Sequence, residues 1–198
     1  MHLFFFLLLA NLYKPVEKPV KPVSISILYF SAIDKDLQIE LRSAILATYH
    51  CNVSIWKEIQ TLPANAYYKP RNRYKAALIL DHLKSVSTTD KILGVTAKDI
   101  STTKGKFDDW GIMGLGFCPG KSCVISTFRI KTTNENLLKE RFVKVGLHVL
   151  GHTFGLPHCT KDKTCFMADA DGTVKSVDRE TRQLCSHCKS LIPQYIKK

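Results

Sequence analysis

The sequence has no apolar run long enough to cross a lipid bilayer, which takes about 20 consecutive residues in a helix. The longest such run, at residues 3–10, is too short. No internal repeat or low-complexity segment follows residue 22, so a repeat array is excluded. Acidic residues are scarce, 17 against 29 basic ones, which gives a net charge of +12. The basic residues are scattered, without a recognition helix or interleaved aromatic residues, so we expect no nucleic-acid partner.

The first 22 residues differ in character from the rest of the chain. Residues 3–10 resemble the hydrophobic region of a signal peptide, although no lysine or arginine precedes them. Residues 14–22 contain three prolines and three lysines and predict an extended, solvated linker. Because such a linker often follows a signal or an anchor, we expect export or membrane anchoring. The alternative is a cytoplasmic protein in which residues 3–10 form a buried strand. We therefore divide the chain into this leader, 1–22, and a single folded domain, 23–198.

Within the folded domain, β-rich runs alternate with segments of helical periodicity. Strands are predicted at 24–30, 53–59 and 91–96, helices at 36–48 and 72–86, and a hairpin of strands at 111–117 and 124–130. Thr132 and Glu135 predict a capping box for a third helix over 134–154. This order predicts an α/β (α+β) domain that consists of a mixed sheet and three main helices.

The residues that can carry chemistry are concentrated between His148 and Cys188. His148 and His152 are four residues apart, so on a helix both imidazoles can reach one metal ion. Gly155 is suited to end that helix in a left-handed turn, which would bring His158 towards the same ion. Three neutral imidazoles that leave a fourth position open are typical of a catalytic zinc site.

Four cysteines come next, spaced as two pairs that could close a four-thiolate zinc site. The pairs are Cys159 with Cys165 and Cys185 with Cys188. Two disulfides are the alternative, which an oxidising compartment would favour. His187 could replace one of the thiolates as a ligand. Of the other three cysteines, Cys118 and Cys123 could form a small disulfide or remain thiols, and Cys51 is left over. A basic zinc-ribbon protein that binds nucleic acid would use the four thiolates but would leave the three histidines unexplained.

Together these residues resemble the zinc signature of the archaemetzincins, a family in the metzincin clan of zinc peptidases. The family pattern is His-Glu-x-x-His-x-x-Gly-x-x-His-Cys, four residues, Cys-x-Met, seventeen residues, and Cys-x-x-Cys. The residues of this chain that fall on its positions are His148, His152, Gly155, His158, Cys159, Cys165, Met167, Cys185 and Cys188. Segments at 62–74, 92–101 and 111–130 also resemble archaemetzincin sequence, so the resemblance covers most of the chain after residue 23.

The resemblance implies two zinc ions and a metzincin-like zinc-peptidase domain. The catalytic ion would be held by the three histidines, and the structural ion by the four cysteines, which would tie a C-terminal subdomain to the active-site helix. Met167 would be the methionine of the Met-turn, packed beneath the catalytic metal. One strand of the 111–130 hairpin would be an edge strand that aligns a peptide by β-augmentation. We therefore expect a monomeric zinc metallopeptidase whose partner is a peptide or protein substrate.

The chain departs from the family pattern at two places. Five residues separate Cys159 from Cys165 instead of four, which a surface loop can accommodate. More seriously, Val149 occupies the position of the glutamate that serves the family as general base, and valine has no ionisable group. Glu140, the nearest upstream carboxylate on the predicted helix, lies about 12 Å away along the helix axis, too far to replace it.

Val149 therefore predicts impaired hydrolysis. The alternative is a non-catalytic, zinc-dependent peptide-binding protein with the same fold. An error in the sequence at this position and a decayed gene copy are further explanations for the valine.

Overall fold

The structure is a computed structural model that describes residues 21–169 and 172–196. The apolar run at 3–10 lies outside the described residues, as does the linker up to residue 20. Among the described residues, no helix combines the length and the apolar composition that crossing a membrane requires.

The described part of the chain contains nine strands and five α-helices. The strands are β1 (Val23–Tyr29), β2 (Cys51–Ile55), β3 (Tyr67–Tyr68), β4 (Arg73–Lys75), β5 (Lys91–Thr96), β6 (Ile100–Lys104), β7 (Phe107–Ile112), β8 (Gly114–Gly116) and β9 (Ser122–Ser126). The helices are α1 (Lys35–Thr48), α2 (Ala76–Val86), α3 (Glu135–Thr153), α4 (Val174–Arg179) and α5 (Ser186–Leu191). Short 3-10 helices lie at Ala64–Ala66, Lys69–Arg71 and Gln194–Ile196. The predicted class, a mixed α/β domain with three main helices, is confirmed.

The described strands form two sheets. The larger has the order β2-β1-β5-β9-β8, in which β8 is antiparallel to β9 and the other pairs are parallel. The smaller has the order β3-β4-β6-β7, with β4 and β6 parallel and the other pairs antiparallel. The predicted hairpin is confirmed as β8 and β9, with shorter strands than expected, whereas the smaller sheet was not predicted.

Helices cover the larger sheet on both faces. Along β1, Ile25 and Ile27 belong to the core shared with α1 and α3, and Leu28 belongs to the core beneath α2. This division follows from the two-residue period of a strand. On α1, Leu37, Leu41 and Ile45 are buried at four-residue spacing, which directs one face of the helix into the first core. The sheet is therefore the middle of three layers, and α3 lies on its α1 side.

Helix α2 begins four residues later than predicted. The residues before it form β4, because Arg73 donates to the carboxylates of Asp99 at 2.7 Å and Asp109 at 2.9 Å. In addition, the amide of Tyr74 donates to the carbonyl of Asp99 at 2.9 Å. These partners are distant in sequence, so helical periodicity could not reveal them. Strand β2 likewise ends at Ile55 rather than at residue 59.

The predicted capping box of α3 is wrong. The cap is Asn134, whose side chain accepts a hydrogen bond from the amide of Leu137 at 3.0 Å. The Thr132 hydroxyl instead accepts from the amide of Asn134 at 3.2 Å. The helix starts within one residue of the predicted position, since any polar side chain that accepts from the first turn can begin a helix.

Candidate metal centre

Helix α3 ends in a turn that brings the three histidines together. Gly155 has a φ of +90°, which favours glycine, and its amide donates to the carbonyl of His152 at 2.8 Å. The chain then reverses, and His158 returns towards the helix. Its ring centroid lies 5.2 Å from that of His148 and 4.8 Å from that of His152. The turn predicted at Gly155 is confirmed, and it has the predicted effect on His158.

The three histidines fit a zinc ion. One nitrogen from each ring lies within 4.8 Å of the others, and the Nε2 atoms of His148 and His152 are 3.0 Å apart. Two nitrogens bound tetrahedrally at 2.0–2.1 Å from zinc would be about 3.3 Å apart. Nδ1 of His148 lies 2.7 Å from the Phe166 carbonyl, and Nδ1 of His152 lies 2.8 Å from the Leu156 carbonyl. Each Nδ1 therefore donates, which leaves the Nε2 lone pair for a metal.

Burial keeps the two helix histidines neutral. Burial lowers the pKa of His148 to about 3, and the neighbouring His152 contributes a smaller part of this lowering. Burial also lowers the pKa of His152. Metal ligation needs the neutral imidazole. His158 is exposed, and its Nδ1 lies 3.6 Å from Oδ2 of Asp169.

Met167 packs against the helix turn that carries these histidines. It is fully buried, and a Cβ added to Gly151 would lie only 2.4 Å from its sulfur. The Met167 carbonyl also accepts the amide of Cys159 at 2.7 Å. This methionine therefore supports α3 between His148 and His152 and connects it to the segment that holds the first cysteines.

The four cysteines form a second group of metal-ligand geometry. Their Sγ atoms all lie within 4.8 Å of one another, and those of Cys159 and Cys185 are 3.6 Å apart. Four sulfurs at 2.3 Å from zinc would be about 3.8 Å apart. The amides of Cys185 and Cys188 donate to the sulfurs of Cys165 and Cys185, at 3.4 and 3.5 Å. His187 is exposed and lies outside the group. No disulfide joins any of the seven cysteines, all of which are among the described residues.

A cavity of about 370 Å³ opens beside the three histidines, within the usual range for ligand pockets. Its walls come from α3, α4, β8 and the smaller sheet. Strand β8 lies very close to α3, because a Cβ on Gly114 would be 2.8 Å from Cγ1 of Val149 and 3.2 Å from Cγ1 of Val145. The helix face that carries His148 and His152 therefore forms one wall of a space that can admit a ligand.

Val149 lines this cavity and is 2% exposed. Glu140 does not line it and instead forms an ion pair with Arg182 at 2.9 Å. Two acidic residues that the sequence did not suggest do line it, Asp169 and Glu180. Neither occupies a motif position. Both enter the cavity wall through the fold of the segment after Met167, which no local pattern reveals.

The chain is similar in sequence and in fold to known peptidases. A sequence model of peptidase family M54 matches residues 24–194. The chain is 34% identical to the archaemetzincin of Methanopyrus kandleri over 154 residues, which cover 77% of this chain and 85% of that protein. It is 36% identical to the archaemetzincin of Archaeoglobus fulgidus over 140 residues, 68% of this chain and 81% of that protein. The crystal structure of the M. kandleri protein matches with a TM-score of 0.75 at 31% identity, covering 86% of this chain and 93% of that one.

Proposed function

The chain belongs to peptidase family M54, the archaemetzincins, and from that premise we propose that it is a zinc metallopeptidase whose peptide hydrolysis is impaired. The observation that carries the proposal is the grouping of His148, His152 and His158 at one side of a cavity large enough for a substrate side chain. The family supports zinc as the metal, and the donor set supports it independently, because imidazole and thiolate are zinc's usual ligands.

We propose two zinc ions per chain. His148 and His152 would hold one through Nε2, together with His158, and the four cysteines would hold the other. When bound by the histidines, zinc would polarise a peptide carbonyl and lower the pKa of a water molecule. The four-thiolate ion would join α5 to the segment that follows α3, and its role would be structural.

Strand β8 is the element that we propose aligns the substrate. It lies at one edge of the larger sheet, and within the described residues its outer edge pairs with no other strand. Gly114 and Gly116 also line the cavity. An extended peptide could hydrogen-bond to this edge and pass the histidines with alternate side chains facing the cavity.

Val149 is the reason that we propose impaired hydrolysis. A general base accepts a proton from the attacking water and contributes roughly 10²- to 10⁴-fold to the rate. Valine can neither accept a proton nor donate a hydrogen bond. The same residue favours the second candidate function, zinc-dependent peptide binding without cleavage.

The test is a mixed pool of peptides, followed by mass spectrometry and by equilibrium binding. Zinc-loaded wild type should cleave slowly, and His152→Ala should not cleave at all. The matched control is His187→Ala, which removes an exposed histidine outside both groups and should behave like wild type. Zinc-dependent binding without any cleavage would favour the second candidate, and equal cleavage by wild type and His152→Ala would contradict both.

A further inference from the structure

The cavity beside the histidines contains a buried acid, Glu180, which directly follows α4. Glu180 is 7% exposed, and its Oε1 has no hydrogen-bond partner among the described residues. The other two charged residues that line the cavity, Lys104 and Asp169, are exposed. A buried carboxyl oxygen without a partner is unfavourable. Its position in a cavity therefore points to a partner that arrives with the ligand.

The neighbouring cations do not act as that partner. Nζ of Lys144 lies 3.0 Å from the main-chain carbonyl of Glu180, and no ion pair joins it to the carboxylate among the described residues. Arg179 donates to the hydroxyl of Ser176 at 3.1 Å. Burial raises the pKa of Glu180 to about 8, because it outweighs the attraction of Lys144 and Arg179. The other titratable residues that line the cavity are Lys104, Cys118, His148, His152, His158 and Asp169.

We propose that Glu180 makes the cavity selective for a positively charged substrate side chain, that of lysine or arginine. This inference rests on the proposed function, because it takes the ligand to be a peptide held beside the metal centre. Glu180 would determine specificity and would take no part in the hydrolytic step.

The walls of the cavity suit such a side chain. Val145, Val149 and Val177 line the cavity with Glu180 and are themselves buried. The methylene groups of lysine or arginine would contact these valines, while the terminal cation pairs with the carboxylate. A norleucine side chain would make the same apolar contacts but would leave Oε1 without a partner. The expected selectivity therefore depends on charge and only weakly on size.

Cation binding should also become tighter as the pH rises. A nearby cation favours the ionised carboxyl, so binding at neutral pH displaces a proton from Glu180. Glu180 would be about three-quarters ionised at pH 8.5 and only about 3% ionised at pH 6.5, so the apparent affinity should be roughly 25-fold higher at the higher pH.

The direct test uses two small probes, n-butylguanidinium and 1-pentanol, titrated into the zinc-loaded protein and followed by NMR. At pH 8.5, n-butylguanidinium should bind Glu180→Gln at least about 10-fold more weakly than wild type, and 1-pentanol should bind both equally. Glu180→Leu is a second variant, which should bind 1-pentanol more tightly than n-butylguanidinium. Glu140→Gln is the control, because Glu140 lies outside the cavity. Equal binding of n-butylguanidinium to wild type and Glu180→Gln would overturn the inference.

A peptide experiment separates this inference from the proposed function. Pairs of short peptides that differ only by lysine or norleucine at one position are compared by fluorescence anisotropy, with wild type and with Glu180→Gln. One position should favour lysine by about 10-fold in wild type alone. If the norleucine peptides bind and no position favours lysine, the inference fails and the proposed function stands. If no peptide binds but n-butylguanidinium still depends on Glu180, the proposed function fails and the cation site stands.

Discussion

Glu180→Gln should make the stability of the folded protein less sensitive to alkaline pH. Burial raises the pKa of Glu180 from 4.5 to about 8, so between these values the folded state holds a proton that the unfolded state has lost. The wild type therefore loses stability as the pH rises through this window. Each pH unit corresponds to about 1.4 kcal/mol, so the loss from pH 5 to pH 8 is on the order of 4 kcal/mol as an upper value. Glutamine has no proton to lose, so the free energy of unfolding of the variant should not fall in this way.

The assay is urea unfolding of wild type and Glu180→Gln at pH 5, 7 and 9, with zinc loading held equal. The two proteins should have similar free energies of unfolding at pH 5, and the variant should be more stable by a few kcal/mol at pH 9. Glu140→Gln is the matched control. That side chain is 45% exposed and paired with Arg182, so its loss should cost less than about 1 kcal/mol with no such pH trend. If wild type and Glu180→Gln lose stability in parallel between pH 5 and pH 9, then Glu180 is not held as a buried neutral acid.

Three other predictions concern the metal ions and the support of α3. Elemental analysis should find two zinc ions in metal-replete protein and one after mild chelation, with the fold retained; one or none at the outset would contradict this. Gly151→Ala should destabilise by about 1–3 kcal/mol in thermal unfolding, since its Cβ would collide with Met167, whereas helix propensity alone predicts the opposite sign. Asp178→Asn should cost roughly 1–3 kcal/mol at neutral pH, because the neutral amide can accept only one of the two 2.7 Å hydrogen bonds that the buried Arg141 donates to the carboxylate. The hydrogen bonds from Arg141 lower the pKa of Asp178, so the difference in stability between wild type and this variant should begin to narrow below about pH 4 and should close only below that lowered pKa. A difference that stays constant as the pH falls from about 4 would refute the assignment.

The grouping of the three histidines could be predicted from the sequence because its geometry is local. Two histidines four residues apart on a helix share a face, and Gly155 has the left-handed conformation that brings His158 back to them. The main strands and helices could also be predicted, because their patterns are local. On α1, for example, the four-residue spacing of Leu37, Leu41 and Ile45 indicates the buried face.

The remaining features depend on partners that are distant in the chain. The smaller sheet is made of short, partly polar strands, and β4 exists because Arg73 binds carboxylates of β7 and of the loop before β6. Glu180 reaches the cavity because the chain after Met167 crosses back to α3, where Lys144 holds its main-chain carbonyl. No periodicity in the sequence encodes these contacts, and they are also the ones that shape the proposed specificity.

We propose that Val149, in the position of the family's general base, impairs hydrolysis by this protein. Val149 lies on the same helix turn as His148 and His152 and lines the cavity, so a glutamate there could extend into it. Its Cγ1 packs near Gly114, and the longer side chain would have to turn away from β8 into the open space. Zinc binding does not need this residue, so the metal content should not change.

The decisive measurement is the rate at which zinc-loaded Val149→Glu cleaves a mixed peptide pool, compared with wild type and with Val149→Glu combined with His152→Ala. Restoring the proton acceptor should raise the rate by at least about 10²-fold, and the added His152→Ala should abolish the gain. Zinc content, measured on the same samples, should be equal in wild type and Val149→Glu. If Val149→Glu binds zinc normally and cleaves no faster than wild type, the missing base does not limit this protein, and the account of its impaired activity is wrong.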